Sequence, residues 1–167
     1  GELFGTYDWA DRPPKNLNLE EVKKQIRFEP GKNYKYNDVR VNLLSYSLLN
    51  VFRKPLPIIL KNEIMDKINA SSTWRWYGYD NSMVIIDGLN IQSVSGGGHL
   101  GGGLFINSED HARFGLLFLR DGIWNENRLI SSDWIKRATK PSENNPSYGY
   151  MWWLNKDKRK WDGLSET

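Results

Sequence analysis

Cysteine is absent from this 167-residue chain, and histidine occurs only twice, at His99 and His111. The first absence excludes disulfides, thiolate catalysis and cysteine-ligated zinc. The second excludes a three-histidine zinc site, and neither His-x-x-x-His nor Glu-x-x-His spacing joins the two imidazoles. No metal and no cofactor is expected. Long apolar runs are missing too: those beginning at Met83 and Leu116 last a few residues, against the roughly 18 to 20 that a bilayer requires, so no membrane span is expected. Charge of one sign is not in excess, with 23 Lys plus Arg against 20 Asp plus Glu and a net charge of +3. That excludes a polybasic nucleic-acid arm and an acidic tail, and no nucleic-acid partner is expected. The chain starts at Gly1 and shows no basic segment followed by an apolar signal core, and it stops soon after an aromatic run. It therefore reads as an interior piece of a longer protein.

What is present is a single domain's worth of residues with no internal repeat, rich in aromatics, including 8 Trp and 8 Tyr. Residues 1–17 carry Pro13-Pro14 without any sustained period and predict an extended arm. A short surface helix is predicted over 19–27, capped by Asn18, with Leu19, Val22 and Ile26 inward. A turn follows around Gly31. The recurrence of Val41, Leu44, Leu48 and Val51, joined by Leu43, Leu49 and Phe52, predicts a mostly buried helix over 38–53. Pro55 and Pro57 break it, and a second helix over 57–68 is predicted to pack against it as a hairpin. Residues 69–104 lose the helical period and predict a long loop region with one or two short strands. Asn107 and Ser108 open a helix through about Arg120 with Ala112, Leu116 and Leu119 on one stripe, closed by Asp121-Gly122. Ser131 begins a last short helix, and the aromatic run from Tyr148 to Leu154 predicts a buried strand.

Several groups of residues could carry chemistry. Six glycines surround His99-Leu100, but the cluster ends Gly103-Leu104-Phe105 without the Lys of a phosphate loop, so tight backbone turns explain it better than nucleotide binding. His111 sits in the first turns of a helix, and His99 has at most a loop-orienting role. Trp74 and Trp76, next to Tyr77, are candidate substrate-binding residues, since flat indoles stack on sugar faces. The competing reading is that tryptophans fill the core. Tyr36 and Asp38 stand at the start of the long helix. Asp38 there caps the helix; read functionally, a phenol beside a carboxylate shuttles protons if a cation lowers its pKa from about 10.

Taken together, the pieces resemble the serine hydrolase family that contains class C beta-lactamases, DD-peptidases and related esterases. Phe28-Glu29-Pro30-Gly31 with Tyr34-Lys35-Tyr36-Asn37-Asp38 resembles that family's Pro-Gly turn and Tyr-x-Asn motif, and Val41-Asn42-Leu43-Leu44 the helix after it. Ser71-Ser72-Thr73-Trp74 resembles its Thr-Trp loop. Gly101-Gly102-Gly103-Leu104 with Ser108-Glu109-Asp110-His111-Ala112-Arg113-Phe114 is similar to its Gly-Gly-Leu and Ser-x-x-Asp-x-Ala-Arg-Phe helix, and Tyr148-Gly149-Tyr150-Met151-Trp152-Trp153 to its returning strand. The resemblance implies an α+β fold: the mainly helical lobe of a beta-lactamase or transpeptidase-like protein with a few short strands. In it, 1–17 are the arm, 18–147 the lobe and 148–167 the start of the strand returning to the catalytic sheet. It implies acyl-enzyme hydrolysis of an ester, amide or beta-lactam, with Tyr36 as proton shuttle and Asp38 in place of the motif's asparagine. A small-molecule or cell-wall-type substrate and a periplasmic or secreted location go with it. No serine has lysine three residues on, and no Lys-Thr-Gly occurs, so the chain alone is expected to be inactive, its partners being the missing parts of the same parent chain. A carboxylate beside Tyr36 raises the phenol's pKa, the wrong direction for a base unless the family's lysine neutralises Asp38 in the intact site. The departure from the motif's asparagine leaves ester or peptide hydrolysis at least as plausible as beta-lactam recognition. The alternative is a non-catalytic glycan-binding or docking module.

Overall fold

Residues 29, 31–36, 38–97, 102–156 and 163 are described by the structure, a computed structural model. The arm expected over 1–17, the helix over 19–27 and His99 lie outside them. The described residues fall into two compact units: 36, 38–97 and 102–112 form one, and 29, 31–35, 113–156 and 163 the other. Both helices and short antiparallel strand pairs are present, so the class is α+β.

In the first unit, α1 spans Asp38–Phe52, with Asp38 placed where its charge favours the positive end of the helix dipole. The expectation of a mostly buried helix is not met. Ser45 and Leu49 are buried, whereas Leu43, Leu44, Leu48, Val51 and Phe52 are exposed, Val51 to 76%. Apolar residues occupy more of α1 than one packing layer can cover, and only the Leu49 stripe meets the core. That core unites Leu49 and Leu56 with Ile86, Ile91 and Val94, flanked by Trp76 and Val84.

Pro55 introduces α2, Leu56–Leu60, with Pro57 in its first turn, where a missing N–H costs nothing. The helix expected through Ile68 does continue, but over Lys61–Met65 it widens into a π-helical turn. Met65 and Ile68 beyond are buried.

Among its described residues, the stretch expected to be loop with one or two strands holds four. β1 (Arg75–Trp76) pairs antiparallel with β4 (Leu104–Phe105), and β2 (Met83–Ile86) with β3 (Leu89–Gln92). Asp87 and Gly88, at φ 52° and 80°, make the two-residue turn between β2 and β3, the mirror-image type that matches strand twist. Arg53, just past α1, pairs with Asp87 and ties that turn to the helix end.

The boundary between the units falls inside α3, Ser108–Leu119. The Asn107 side chain accepts a hydrogen bond from the Asp110 amide at 2.8 Å and caps its start. At its end, the Asp121 N–H donates to Phe118 O at 3.0 Å and the Gly122 N–H to Leu117 O at 2.9 Å, with Asp121 itself in the left-handed region. The inward stripe expected at Ala112, Leu116 and Leu119 is displaced by one position. Asp110 and Leu117 are fully buried, while Ala112 and Leu119 are exposed. A buried carboxylate sets this register, and apolar periodicity does not register a carboxylate.

In the second unit, β5 (Ile123–Trp124) and β6 (Asn127–Arg128) form a further two-residue hairpin over Asn125 and Glu126, both at positive φ. Ser131 caps α4, Ser132–Ala138, by accepting from the Trp134 amide. The strand expected from Tyr148 to Leu154 is instead folded back on itself. The Gly149 N–H donates to Trp152 O and the Leu154 N–H to Ser147 O, each at 2.8 Å, and Met151 at φ 64° makes the bend. The Tyr150 N–H donates to Ala138 O at the same distance, holding the bend on the end of α4. Phe118 and Trp152 stack 4.4 Å apart beside it.

Candidate functional site

Tyr36 and Asp38 meet at the start of α1. Tyr36 is 47% exposed, and the Asp38 carboxylate lies close enough to act on its hydroxyl. Its pKa is raised above that of an ordinary tyrosine, first by burial and then by the charge and hydrogen bond of Asp38. The phenol is therefore neutral at neutral pH and is a proton donor there. Asp38 Oδ1 is buried and has no hydrogen-bond partner among the described residues.

One turn further along α1, Asn42 shares a face with Asp38. Its Oδ1 takes three donors from a segment more than fifty residues away: the Ser95 hydroxyl at 3.0 Å, the Gly96 N–H at 2.9 Å and the Gly97 N–H at 3.1 Å. Backbone amides only donate, so the oxygen of the Asn42 side chain is the end that faces them. Gly96 and Gly97 allow this approach. A Cβ at Gly96 would lie 2.7 Å from Val41 O, and one at Gly97 would lie 2.9 Å from Asp38 Oδ1. From the other side the Tyr79 hydroxyl donates to Gly97 O at 3.4 Å, and the Trp76 indole donates to Ser95 O at 2.7 Å and to Gly102 O at 3.2 Å.

The two tryptophans expected to bind substrate are both half-buried. Trp76 spends its only polar atom on main-chain carbonyls and packs its ring against the core. Strand alternation at β1 turns its neighbours outward. Tyr77 and Phe105 stand 5.9 Å apart edge to face, with the Arg75 guanidinium over both rings. Tyr77 and Arg75 are exposed there, while Phe105 is half-buried like Trp74 and Trp76. His111 is exposed on α3.

A second polar cluster surrounds Asp110, whose carboxylate accepts from the Ser71 N–H at 2.9 Å, the Ser71 hydroxyl at 2.5 Å and the Asn107 side-chain amide at 2.8 Å. Thr73 joins it through Ser71. This cluster fixes the loop after Ile68 to the start of α3 and is a structural brace. Among the described residues no group of three His, Asp or Glu side chains is placed to hold a metal ion, and no helix is long and apolar enough to cross a membrane.

Of the residues now seen at the site, sequence reasoning singled out Tyr36 and Asp38 and passed over Asn42, Tyr79 and Ser95. A polar side chain inside the apolar Val41-Asn42-Leu43-Leu44 run was the available signal for Asn42. Compared with models of protein families and with curated proteins, the chain matches none.

Proposed function

We propose that this chain supplies the proton-transfer part of an acyl-transfer site of the serine-hydrolase type, acting on an ester, amide or beta-lactam of the kind found in cell-wall chemistry. The observation that carries the reading is the half-exposed Tyr36, beside Asp38 at the start of α1, at the position where the sequence resembles the Tyr-x-Asn motif. A neutral phenol gives its proton to the leaving-group atom as the acyl bond breaks and takes one back from the attacking hydroxyl. Asp38 accepts the phenol's hydrogen bond and fixes its direction. The nucleophile comes from outside these residues, since none of their serines stands in a Ser-x-x-Lys motif. On this reading the chain is part of the helical lobe of a beta-lactamase-like fold and belongs to an exported protein.

Reconstitution tests it. With a separately made polypeptide bearing the Ser-x-x-Lys helix of such an enzyme, nitrophenyl ester hydrolysis is expected, and Tyr36→Phe is expected to slow it about 100-fold or more. The chain alone is expected to form no acyl adduct with a chromogenic beta-lactam by intact mass. Hydrolysis indifferent to Tyr36, or stoichiometric acylation of the chain alone, overturns the reading.

A non-catalytic glycan-binding module is the second reading, favoured by the face of Tyr77, Phe105 and Arg75, of which Tyr77 and Arg75 are exposed. Tryptophan and tyrosine fluorescence titrated with cell-wall oligosaccharides decides it. Quenching that Tyr77→Ala abolishes supports it, and no response to any oligosaccharide removes it.

A further inference from the structure

We propose that Asn42 is the positioning residue of the Tyr36–Asp38 pair: its single amide oxygen gathers Ser95, Gly96 and Gly97 and so holds the loop against the Asp38 carboxylate. The inference rests on the reading of Tyr36 as proton carrier, and it names the group that sets that carrier's geometry.

The argument is geometric. Asp38 and Asn42 lie one helical turn apart, so an element anchored to the second overlies the first. Three donors converge on Asn42 Oδ1 within 3.1 Å, an unusual load for one amide oxygen, whose two lone pairs suit two donors. The anchored loop comes so close that a Cβ on either glycine would collide with α1. As a result Asp38 Oδ1 is shut away from water beneath Gly97. Tyr79 grips the loop from its far side through Gly97 O. Without Asn42 the two loop amides lose their acceptor, the loop lifts, and water reaches the buried oxygen of the Asp38 carboxylate beside Tyr36. Asn42 touches neither the phenol nor a substrate. It acts through Asp38, by way of the loop.

The test reads two quantities by NMR on the whole chain: amide exchange at Gly96 and Gly97, and the titration of Tyr36 followed at its ring Cζ carbon and assigned with Tyr36→Phe. In Asn42→Ala, exchange at both glycines is expected to quicken by roughly tenfold or more, and the Tyr36 midpoint to move down toward that of an ordinary tyrosine as water enters. In Asn42→Asp the acceptor oxygen is kept, so the glycines are expected to stay protected while the added negative charge moves the Tyr36 midpoint up. Opposite movements in the two variants are the signature of positioning. A side chain that merely supports packing would change the melting temperature and leave the Tyr36 midpoint where it is. Should Asn42→Ala fail to fold, Asn42→Asp decides alone, and an unmoved midpoint or unprotected glycines in it overturns the proposal. Neither readout uses a substrate. Failure of the hydrolase reading appears as ester hydrolysis indifferent to Tyr36, and failure of this inference as a Tyr36 titration indifferent to Asn42.

Discussion

One oxygen of the Asp38 carboxylate is buried at the start of α1, and the phenol beside that carboxylate feels its charge. Burial, the charge of Asp38 and its hydrogen bond all hold the proton on Tyr36. Asp38→Asn removes the charge and leaves the largest cause, so the Tyr36 midpoint is expected to fall without reaching the ordinary value, measured by the ring-carbon titration. The same upward shift has a consequence for stability. Because folded Tyr36 keeps its proton to higher pH than unfolded Tyr36, its contribution is complete below about 10, where an ordinary tyrosine titrates, and is lost as pH rises through the folded midpoint. Urea unfolding followed from about pH 9 to about pH 11.5 is expected to show a steeper loss for the native chain than for Tyr36→Phe. Asp110 is the other carboxylate of consequence, fully buried and holding Ser71 and Asn107. Asp110→Ala strands the Ser71 N–H and the Asn107 amide and is expected to cost about 3 kcal/mol in denaturant unfolding. Tyr36 and Asp38 were legible in the sequence because an acidic helix start and its neighbour are local features, although Asp38 is the first residue of α1 and not the cap that was expected. Asp110 was legible only as a residue near a helix start, because nothing local says that a carboxylate is inside.

Among the elements, α1 shows where periodicity informs and where it stops. Its length was readable to within one residue, from an acidic first turn and a proline soon after its end. Its burial was not, since the sequence carries apolar residues around most of the helix and the core takes only one stripe. Leu49→Ala is expected to cost about 3 kcal/mol, whereas Val51→Lys, on the exposed face, is expected to change unfolding free energy by no more than about 0.5 kcal/mol. Equal losses at the two positions would show that α1 is rotated from its position here. The β2–β3 hairpin had a readable signal in Asp87-Gly88 between two apolar runs. Its second strand is disguised by Asn90 and Gln92. The helix ends at Asn107, Asp121 and Ser131 follow cap chemistry and were legible. The fold-back at Met151 was not, because a run of aromatics reads as an extended strand and the hydrogen bond from Tyr150 to Ala138 that bends it is made to another element.

Across the whole molecule, helical periodicity interrupted by short strand-like runs anticipated the α+β class, and the absence of cysteine and the scarcity of histidine shaped the chemistry open to it. What composition could not supply is the join between Asn42 and the Ser95–Gly97 loop, a contact across more than fifty residues that no local pattern encodes. Half the candidate site was therefore readable, namely the half that is contiguous in the chain. The π-helical turn at Lys61–Met65 bears on how such a chain tolerates change in length. A turn of this kind holds one residue more than an α-turn needs, and each residue of an α-helix advances the side chains by about 100°. Deleting the exposed Asn62 is accordingly expected to tighten the ladder to α geometry while Met65 and Ile68 keep facing inward, with a melting temperature close to that of the full chain. Removing Leu44 from α1 would instead swing Asp38 and Leu49 out of phase and unfold the unit. Length variation is thus absorbed in one loosely wound turn, leaving the register of the surrounding helices intact.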